Sequence, residues 1–305
     1  MPKQKVKLII NPNADLGRAW RWGADLRPIV EEFGGADWSG TVYPTHATEL
    51  TRQAAEEGYE LIISVGGDGT VHEVINGLMS VPAEQRPKLG VVPVGTGNDF
   101  AHNIGAPDRP EIAMRRAFSG EPKKIDLGVI RDSLGRSEYW DNTVGIGFDA
   151  TVTIRSRKVP VVHGFLVYLI AVLQTIILNH DAPRMQVTTD QENWDEQMLM
   201  VVLCNGPREG GGFIVAPQAQ NTDGWLDYTA IRKVSRPMMF RLIPEVMKGT
   251  HGRFKQVRMG KFKEFSLQSD RPLIIHMDGE IFAGFGTDIR QLSAEILPGA
   301  LELVV

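Results

Sequence analysis

The sequence predicts an α/β lobe followed by a mostly antiparallel β lobe, and three observations support this fold class. Apolar runs at Val6–Ile10 and Leu61–Val65 predict strands that enclose a helix beginning after Thr45, which is a β-α-β pattern. Two strand-like runs of this region end in glycine-rich turns. The C-terminal part instead has short segments separated by turn residues, typical of an antiparallel sandwich or barrel. We therefore expect domains at residues 1–128 and 129–305.

The composition is that of an ordinary soluble globular protein. The chain has 305 residues, of which 42% are hydrophobic and 23% charged, enough for two cores. Its formal net charge of −4 argues against a general nucleic-acid-binding protein. The single cysteine, Cys204, excludes an internal disulfide framework and suits a reducing compartment. No signal peptide precedes Val6–Ile10, so we expect a cytoplasmic protein.

The turn Gly66-Gly67-Asp68-Gly69-Thr70 lies between a predicted buried strand and a helix whose apolar residues recur at helical spacing from Val71 to Leu78. Glycines at a helix N-terminus let a phosphate approach free backbone N–H groups. A carboxylate beside phosphates is repelled unless a cation lies between them, so Asp68 indicates Mg²⁺. The alternative is a tight turn that Asp68 merely caps.

A second glycine turn follows the predicted strand Lys88–Val94 and reads Gly95-Thr96-Gly97-Asn98-Asp99. Because parallel strands open their carboxyl ends onto one crevice, we expect both turns to face one nucleotide in a Rossmann-like, three-layer α/β lobe. After the first strand, Asn11 could contact an adenine or ribose, or cap its turn. Arg18 could reach a phosphate or remain a solvated charge.

Two stretches of the second lobe suggest contact with lipid. Val159–Leu178 is uncharged over twenty residues, long enough for a membrane span, but Pro160 and Gly164 interrupt it. We interpret it as a buried or interface helix that leaves one face for lipid. Residues 232–263 contain ten Lys or Arg and one Glu. That excess suits an anionic membrane surface, and a solvated face is the alternative.

The remaining segments of the second lobe predict strands with turns between them. They are Glu138–Val144, Met185–Thr189, Gln197–Leu203, Trp225–Arg232, Lys261–Leu267 and Pro272–Met277. After the last of these, Asp278-Gly279 is a turn signal that sets Glu280 at a strand end. Taken alone, this tripeptide is a commonplace hairpin tip.

Five motifs, taken together and in order, resemble those of the diacylglycerol kinase-like lipid kinases, with the bacterial soluble branch closest. Sphingosine and ceramide kinases share that catalytic fold, and NAD kinases share the Gly-Gly-Asp-Gly-Thr-type loop. The resemblance covers nearly the whole chain and implies ATP-dependent phosphorylation of a hydroxyl. The motifs are Asn11-Pro12, Gly66–Thr70, Gly95–Asp99, Gly145-Ile146-Gly147-Phe148-Asp149 and Asp278-Gly279-Glu280.

The resemblance also implies roles for single residues. Gly66–Thr70 and Gly95–Asp99 become the nucleotide loops, Asp68 a catalytic residue of the Mg²⁺–phosphate network, and Glu280 the general base. A structural magnesium loop falls at residues 220–227, with the Asp223 carboxylate and the carbonyls of Gln220 and Trp225 as ligands. Many members have Ser-Gly soon after Asn-Pro; this chain does not, and Arg18 is the expected substitute.

The combined prediction is a lipid kinase with its active site in a cleft between the two lobes. It uses ATP and Mg²⁺ and associates peripherally with anionic membranes. The favoured reaction is the conversion of diacylglycerol to phosphatidic acid. Alternatives are a kinase of a sphingoid base, ceramide, phosphatidylglycerol or NAD, and a nucleotide sensor without turnover. The oligomeric state is left open, a homodimer included.

Overall fold

The computed structural model describes residues 4–159, 165–179 and 181–305, which form two compact units. The first is an α/β unit that runs to Ile125 and also includes Gly299–Val305. The second is a β-sandwich over Asp126–Pro298. The predicted division left residues 299–305 in the second domain, whereas the structure returns them to the sheet of the first unit, where Leu303 pairs with Leu89.

The first unit is built on a parallel sheet with helices between its strands. Its elements are β1 (Val6–Ile10), α1 (Ala14–Gly17), a 3₁₀ turn (Ala19–Arg21), α2 (Trp22–Glu32), β2 (Asp37–Gly40), α3 (His46–Glu56), β3 (Leu61–Gly66), α4 (Asp68–Met79), a 3₁₀ turn (Ala83–Gln85), β4 (Lys88–Pro93), α5 (Asp99–Asn103), α6 (Pro110–Ser119) and the start of β5 (Pro122–Asp132). The strand order is β2-β1-β3-β4, all parallel. This confirms the predicted α/β unit.

The central strand β3 explains why the sequence folds this way. All six of its residues are buried, as expected for a strand covered by helices on both faces. In α4 the residues at the predicted apolar spacing, from Val71 to Leu78, are also buried. Burying side chains of this size contributes about 1.5–3 kcal/mol each. The strand, the turn and the helix are therefore held at fixed positions by the core.

The second unit is antiparallel. Its elements are β6 (Ser137–Trp140), β7 (Thr143–Gly147), α7 (Phe148–Ser156), α8 (Phe165–Leu178), β8 (Arg184–Thr189), β9 (Asn193–Cys204), β10 (Arg208–Glu209), β11 (Phe213–Ile214), β12 (Leu226–Arg232), α9 (Arg236–Met247), a 3₁₀ turn (His251–Arg253), β13 (Val257–Phe262), β14 (Glu264–Ser269), β15 (Ile275–Met277), β16 (Glu280–Ala283) and β17 (Gln291–Val304). One sheet has the order β16-β15-β7-β9-β12-β13, and the other contains β9-β8-β14-β17. The long strand β9 belongs to both, and large side chains such as Trp140, Tyr228 and Phe262 fill the core.

Two predicted strands are each divided in the structure. The segment predicted at Glu138–Val144 breaks between β6 and β7, because the backbone N–H groups there donate to the Asp278 carboxylate instead of to a ladder. The segment predicted at Lys261–Leu267 breaks at Lys263, whose N–H donates to Asp190 Oδ1 over 2.8 Å. In both places a carboxylate, buried in Asp278 and exposed in Asp190, accepts amide N–H groups that a continuous strand would use.

The uncharged stretch predicted at Val159–Leu178 contains α8, and its residues 160–164 lie outside the described residues. Ala171, Thr175 and Ile176 are the buried positions of α8, so one side of the helix packs against the unit. Within the described residues, the structure has no helix of the length and apolarity that crossing a membrane requires.

Candidate functional site

The two predicted glycine loops lie against each other at the carboxyl ends of β3 and β4. The N–H of Val94 donates to the carbonyl of Gly66 over 2.9 Å. A Cβ placed on Gly95 would lie 2.4 Å from the Cα of Gly67, a distance that no side chain permits. Glycine is therefore required at position 95, where the two loops touch.

The helix α4 begins inside the first loop. Gly67 is its N-cap residue in an extended conformation, and Asp68 is its first residue. The N–H groups of Thr70 and Val71 donate to the carbonyl of Gly67 over 3.0 and 3.2 Å, which closes the first turn. A Cβ on Gly66 would lie 2.3 Å from Thr70 Oγ1. The loop therefore presents the positive end of a 12-residue helix, a site that favours anions.

Two carboxylates flank Gly97 in the second loop. A Cβ on Gly97 would lie 2.8 Å from Asp68 Oδ2 and 3.7 Å from Asp99 Oδ2. The other oxygen of Asp68, Oδ1, accepts the N–H of Phe100 over 3.0 Å, which links the start of α4 to α5. Hard carboxylate oxygens close together are the ligands that Mg²⁺ prefers. Asp68 and Asp99 thus fit a divalent cation beside the helix N-terminus.

Other predicted nucleotide residues shape this loop pair. Asn98 adopts a left-handed conformation (φ 51°) and closes its own loop, since its amide accepts from Gly95 N and donates to Gly95 O, each over 3.0 Å. Thr96 is exposed at the loop tip, and Gly69 lies in the first turn of α4. Asn98 therefore has a shaping role that the sequence did not reveal.

The residues predicted from the first motif take different positions. The Asn11 amide donates to Thr70 Oγ1 over 3.2 Å, while its oxygen accepts the N–H of Asn13 over 3.0 Å. Asn11 thus both caps its turn and reaches the glycine loop. Arg18 pairs with Asp15 over 3.1 Å on a side chain that is 57% exposed. The structure joins Asn11 to the loop pair but gives Arg18 a local partner.

In the second unit, Glu280 follows a tight two-residue hairpin turn. Asp278 (φ 48°) and Gly279 (φ 83°) both have positive φ, and Met277 pairs with Glu280 across the turn. This is the mirror-image turn that Asp-Gly favours, and it confirms the prediction of Glu280 at a strand end. The buried Asp278 carboxylate accepts the N–H groups of Asp141, Asn142 and Thr143 over 2.9–3.0 Å, so the hairpin is anchored to the β6–β7 bend.

Further side chains surround this hairpin that sequence reasoning did not select. His276 Nε2 and Asp149 Oδ2 are 2.7 Å apart, and Glu209 offers a third ligating atom within 4.8 Å of both. A Cβ on Gly145 would lie 1.8 Å from Asp149 Oδ2, so the Gly-x-Gly-Phe-Asp motif makes room for this pair. Arg157 donates to Glu280 Oε2 over 2.6 Å. The Gly-x-Gly-Phe-Asp motif could have drawn attention to Asp149, but its partner His276 is 127 residues away in the sequence.

The predicted magnesium loop brings two carboxylates to one ammonium. Lys261 Nζ lies 2.6 Å from Asp223 Oδ2 and 3.7 Å from Asp227 Oδ2, and the N–H of Trp225 donates to Asp223 Oδ1. Burial, reinforced by the Asp223 charge, raises the pKa of Asp227 to about 6. With both carboxylates ionised, the single ammonium of Lys261 balances only one of the two negative charges. The loop is therefore electrostatically suited to a cation, and the carbonyls of Gln220 and Trp225 remain predicted ligands.

Comparison with known families places both units in one group of enzymes. The diacylglycerol kinase catalytic domain matches residues 5–130, and the YegS C-terminal NAD kinase β-sandwich-like domain matches residues 142–305. A protein of Chromohalobacter salexigens named as a YegS-like lipid kinase is 33% identical over 83% of this chain and 78% of its own. The diacylglycerol kinase of Mycobacterium tuberculosis is 28% identical over 96% of this chain and 94% of its own.

Solved structures agree with this fold. A crystal structure of a diacylglycerol kinase from Bacillus anthracis str. Sterne matches with a TM-score of 0.73 and 21% identity, over 100% of this chain and 97% of that one. A second Bacillus anthracis structure reaches a TM-score of 0.80 with 23% identity, over 100% and 98%. The chain belongs to the diacylglycerol kinase-like family of lipid kinases.

The raised pKa of Asp227 predicts a pH-dependent cost to stability. Between its ordinary value of 3.8 and about 6, the folded protein binds a proton that the unfolded chain has lost, so stability falls as pH rises through that window. Asp227→Asn stays neutral and should raise the melting temperature at about pH 8 by several degrees, with little change at about pH 4. Thermal melts at both pH values test this.

The 73% exposed Asp288 offers a matched control, and Asp288→Asn should leave the melting temperature nearly unchanged at both pH values. An equal gain at both pH values for Asp227→Asn, or a loss at the higher one, would contradict the burial argument.

Proposed function

We propose that this protein transfers the γ-phosphate of ATP to the hydroxyl of diacylglycerol and so produces phosphatidic acid and ADP. Membership in a family of lipid kinases supports the reaction type. The observation that carries the proposal is the loop pair of the first unit, where touching glycines, a helix N-terminus and two carboxylates meet. That combination suits a nucleotide triphosphate and its cation.

The nucleotide residues have separate tasks in this proposal. The backbone of Gly66–Thr70 and of Gly95–Asp99 receives the phosphates, and Asn11 holds Thr70 in place. Asp68 and Asp99 would hold Mg²⁺, which neutralises charge on the triphosphate when bound. Arg18 would exchange its exposed Asp15 partner for a phosphate. Exposed ion pairs of this kind contribute little, so the exchange is inexpensive in free energy.

Glu280 is the proposed general base. As the lipid hydroxyl oxygen forms its bond to the γ-phosphorus, Glu280 takes the hydroxyl proton. The bond between that phosphorus and the bridging oxygen breaks, and ADP leaves with the electron pair. The anchored hairpin supports this role, because a base must be held within hydrogen-bonding reach of the proton it removes. A positioned base typically contributes about 10²–10⁴-fold to the rate.

A lipid acceptor explains a surface that a soluble acceptor such as NAD leaves without a role. On α8, Leu166, Leu173, Ile177 and Leu178 are 37–64% exposed on a helix that carries no charge. On α9, Phe240 and Met247 are 42% and 38% exposed beside Arg236, Arg241 and Lys248. Arg236 joins the helices, since its Nε donates to the carbonyl of Ile176 over 3.0 Å. An exposed apolar face bordered by cations suits an anionic membrane interface.

Substrate choice is tested with labelled ATP and a panel of acceptors, with the lipids in mixed vesicles and NAD in solution. The panel contains diacylglycerol, ceramide, sphingosine, phosphatidylglycerol and NAD. We expect label in phosphatidic acid and little in the other products, because the family relatives and the apolar surface favour a neutral lipid hydroxyl. Label in NADP would show a soluble acceptor, and absence of any labelled product would favour a nucleotide sensor.

Membrane contact is tested by sedimentation with vesicles. Ile177→Glu should weaken binding to anionic vesicles about 10-fold, because it replaces apolar area with charge. Arg241→Gln should weaken it about fivefold for anionic vesicles and leave neutral ones unaffected. Val42→Glu, at a 74% exposed apolar position of the first unit, is the control and should bind as the wild type does. Equal binding of wild type to neutral and anionic vesicles would overturn this contact.

A further inference from the structure

Arg157 contacts both the backbone and the side chain of the hairpin that carries Glu280. It lies at the C-terminal end of α7, and one of its guanidinium nitrogens donates to Glu280 Oε2 over 2.6 Å. The same nitrogen donates to the carbonyl of Gly279 over 2.8 Å. A single donor atom therefore ties the carboxylate to the turn from which it projects.

We propose that Arg157 is a positioning residue for phosphoryl transfer, which aims the carboxylate of Glu280; this rests on the proposed role of Glu280 as base. The Glu280 side chain is 49% exposed, so packing alone leaves its rotatable bonds free. The guanidinium selects one orientation by engaging Oε2. The other oxygen, Oε1, is then the one that accepts the proton.

The backbone of the hairpin is held by other contacts, which separates the task of Arg157 from folding. Asp278 anchors the turn through three backbone N–H groups, and Arg136 donates to the carbonyl of Phe282 over 3.2 Å. Arg136 also stacks on the Phe282 ring, 4.3 Å from its centroid. Loss of Arg157 removes one bond to the Gly279 carbonyl but leaves these anchors of the hairpin, so its main effect is to free the Glu280 side chain.

The helix that carries Arg157 is fixed to the same hairpin. Asp149 in the first turn of α7 bonds His276 of β15 over 2.7 Å, and both residues are largely buried. The start of α7 is thus joined to the hairpin strand by this pair, and Arg157 joins the end of the same helix to the hairpin turn. The Arg157 side chain is itself 47% exposed, so the second bond of its nitrogen, to the Gly279 carbonyl, is what limits its freedom while it orients the base.

Steady-state kinetics of Arg157→Met, Arg157→Lys, Glu280→Gln and the double variant Arg157→Met/Glu280→Gln test the inference. We expect Arg157→Met to lower kcat about 10-fold while KM for ATP and for lipid stays within about twofold. Arg157→Lys should regain part of that loss, because an ammonium can still donate to Glu280. The kcat of the double variant should be no lower than that of Glu280→Gln, because a contact that orients the base has no effect on the rate once the base has been removed.

Arg136→Met is the control for general weakening of the hairpin: it should lower the melting temperature, whereas Arg157→Met should lower kcat with an unchanged melting temperature. Two results would overturn the role of Arg157, namely a raised KM for ATP as the main effect of Arg157→Met, or losses that multiply in the double variant. Full activity of Glu280→Gln would instead remove the base assignment, and the inference with it. Melting curves of each variant show that a loss of kcat is not a loss of folded protein.

Discussion

The first unit depends on the contact between the backbones of Gly67 and Gly95. A Cβ on Gly95 would lie 2.4 Å from the Cα of Gly67, so the loops touch only because Gly95 lacks one, and a Cβ on Gly67 would be tight at 3.1 Å. That contact brings the start of α4 beside the second loop, and Asp68 then reaches the N–H of Phe100. The carboxylates of Asp68 and Asp99 both lie close to Gly97 of that loop. The backbone proposed to bind phosphate and the carboxylates proposed to bind a cation are therefore brought together by this close contact between the loops.

The second unit has a comparable point of dependence at Asp278. Its buried carboxylate satisfies three consecutive backbone N–H groups, which fixes the bend between β6 and β7 and the hairpin of Glu280 at once. Hydrogen bonds to an ionised carboxylate are roughly twice as strong as bonds between neutral groups. The three bonds to Asp278 therefore stabilise this bend more than three bonds to a neutral acceptor would. The sequence motif Asp-Gly-Glu therefore combines an anchor, a turn and the proposed general base in adjacent positions.

The sequence predicted what local chemistry determines. The strand, glycine turn and helix at residues 61–78, and the turn before Glu280, follow from periodicity and from residues that tolerate positive φ. The helix after Thr45 was also predicted, but its first N–H groups donate to the Glu73 carboxylate, over 2.8 Å from Thr45 and 3.0 Å from Ala47. That cap lies 28 residues from Thr45, beyond the reach of any local pattern.

Long-range partners account for most of what the sequence could not supply. Arg157 is 123 residues from Glu280, and neither periodicity nor turn chemistry links them. The break in the strand predicted at Glu138–Val144 is set by Asp278, which lies more than a hundred residues away. Residues 299–305 return to the first sheet, and this pairing with a strand about two hundred residues earlier has no local signal in the sequence. The motif residues could be identified from the sequence. The contacts that hold them in position could be identified only from the structure.

The central claim is that the loop pair of the first unit holds a nucleotide triphosphate through a cation at Asp68. Calorimetric titration of ATP into wild type and Asp68→Asn, with and without Mg²⁺, tests it most directly. The account predicts wild-type binding that tightens about 10-fold or more with Mg²⁺, and a variant in which Mg²⁺ has little effect. Equal affinity with and without Mg²⁺ in the wild type, or an unchanged Mg²⁺ dependence in the variant, would contradict it.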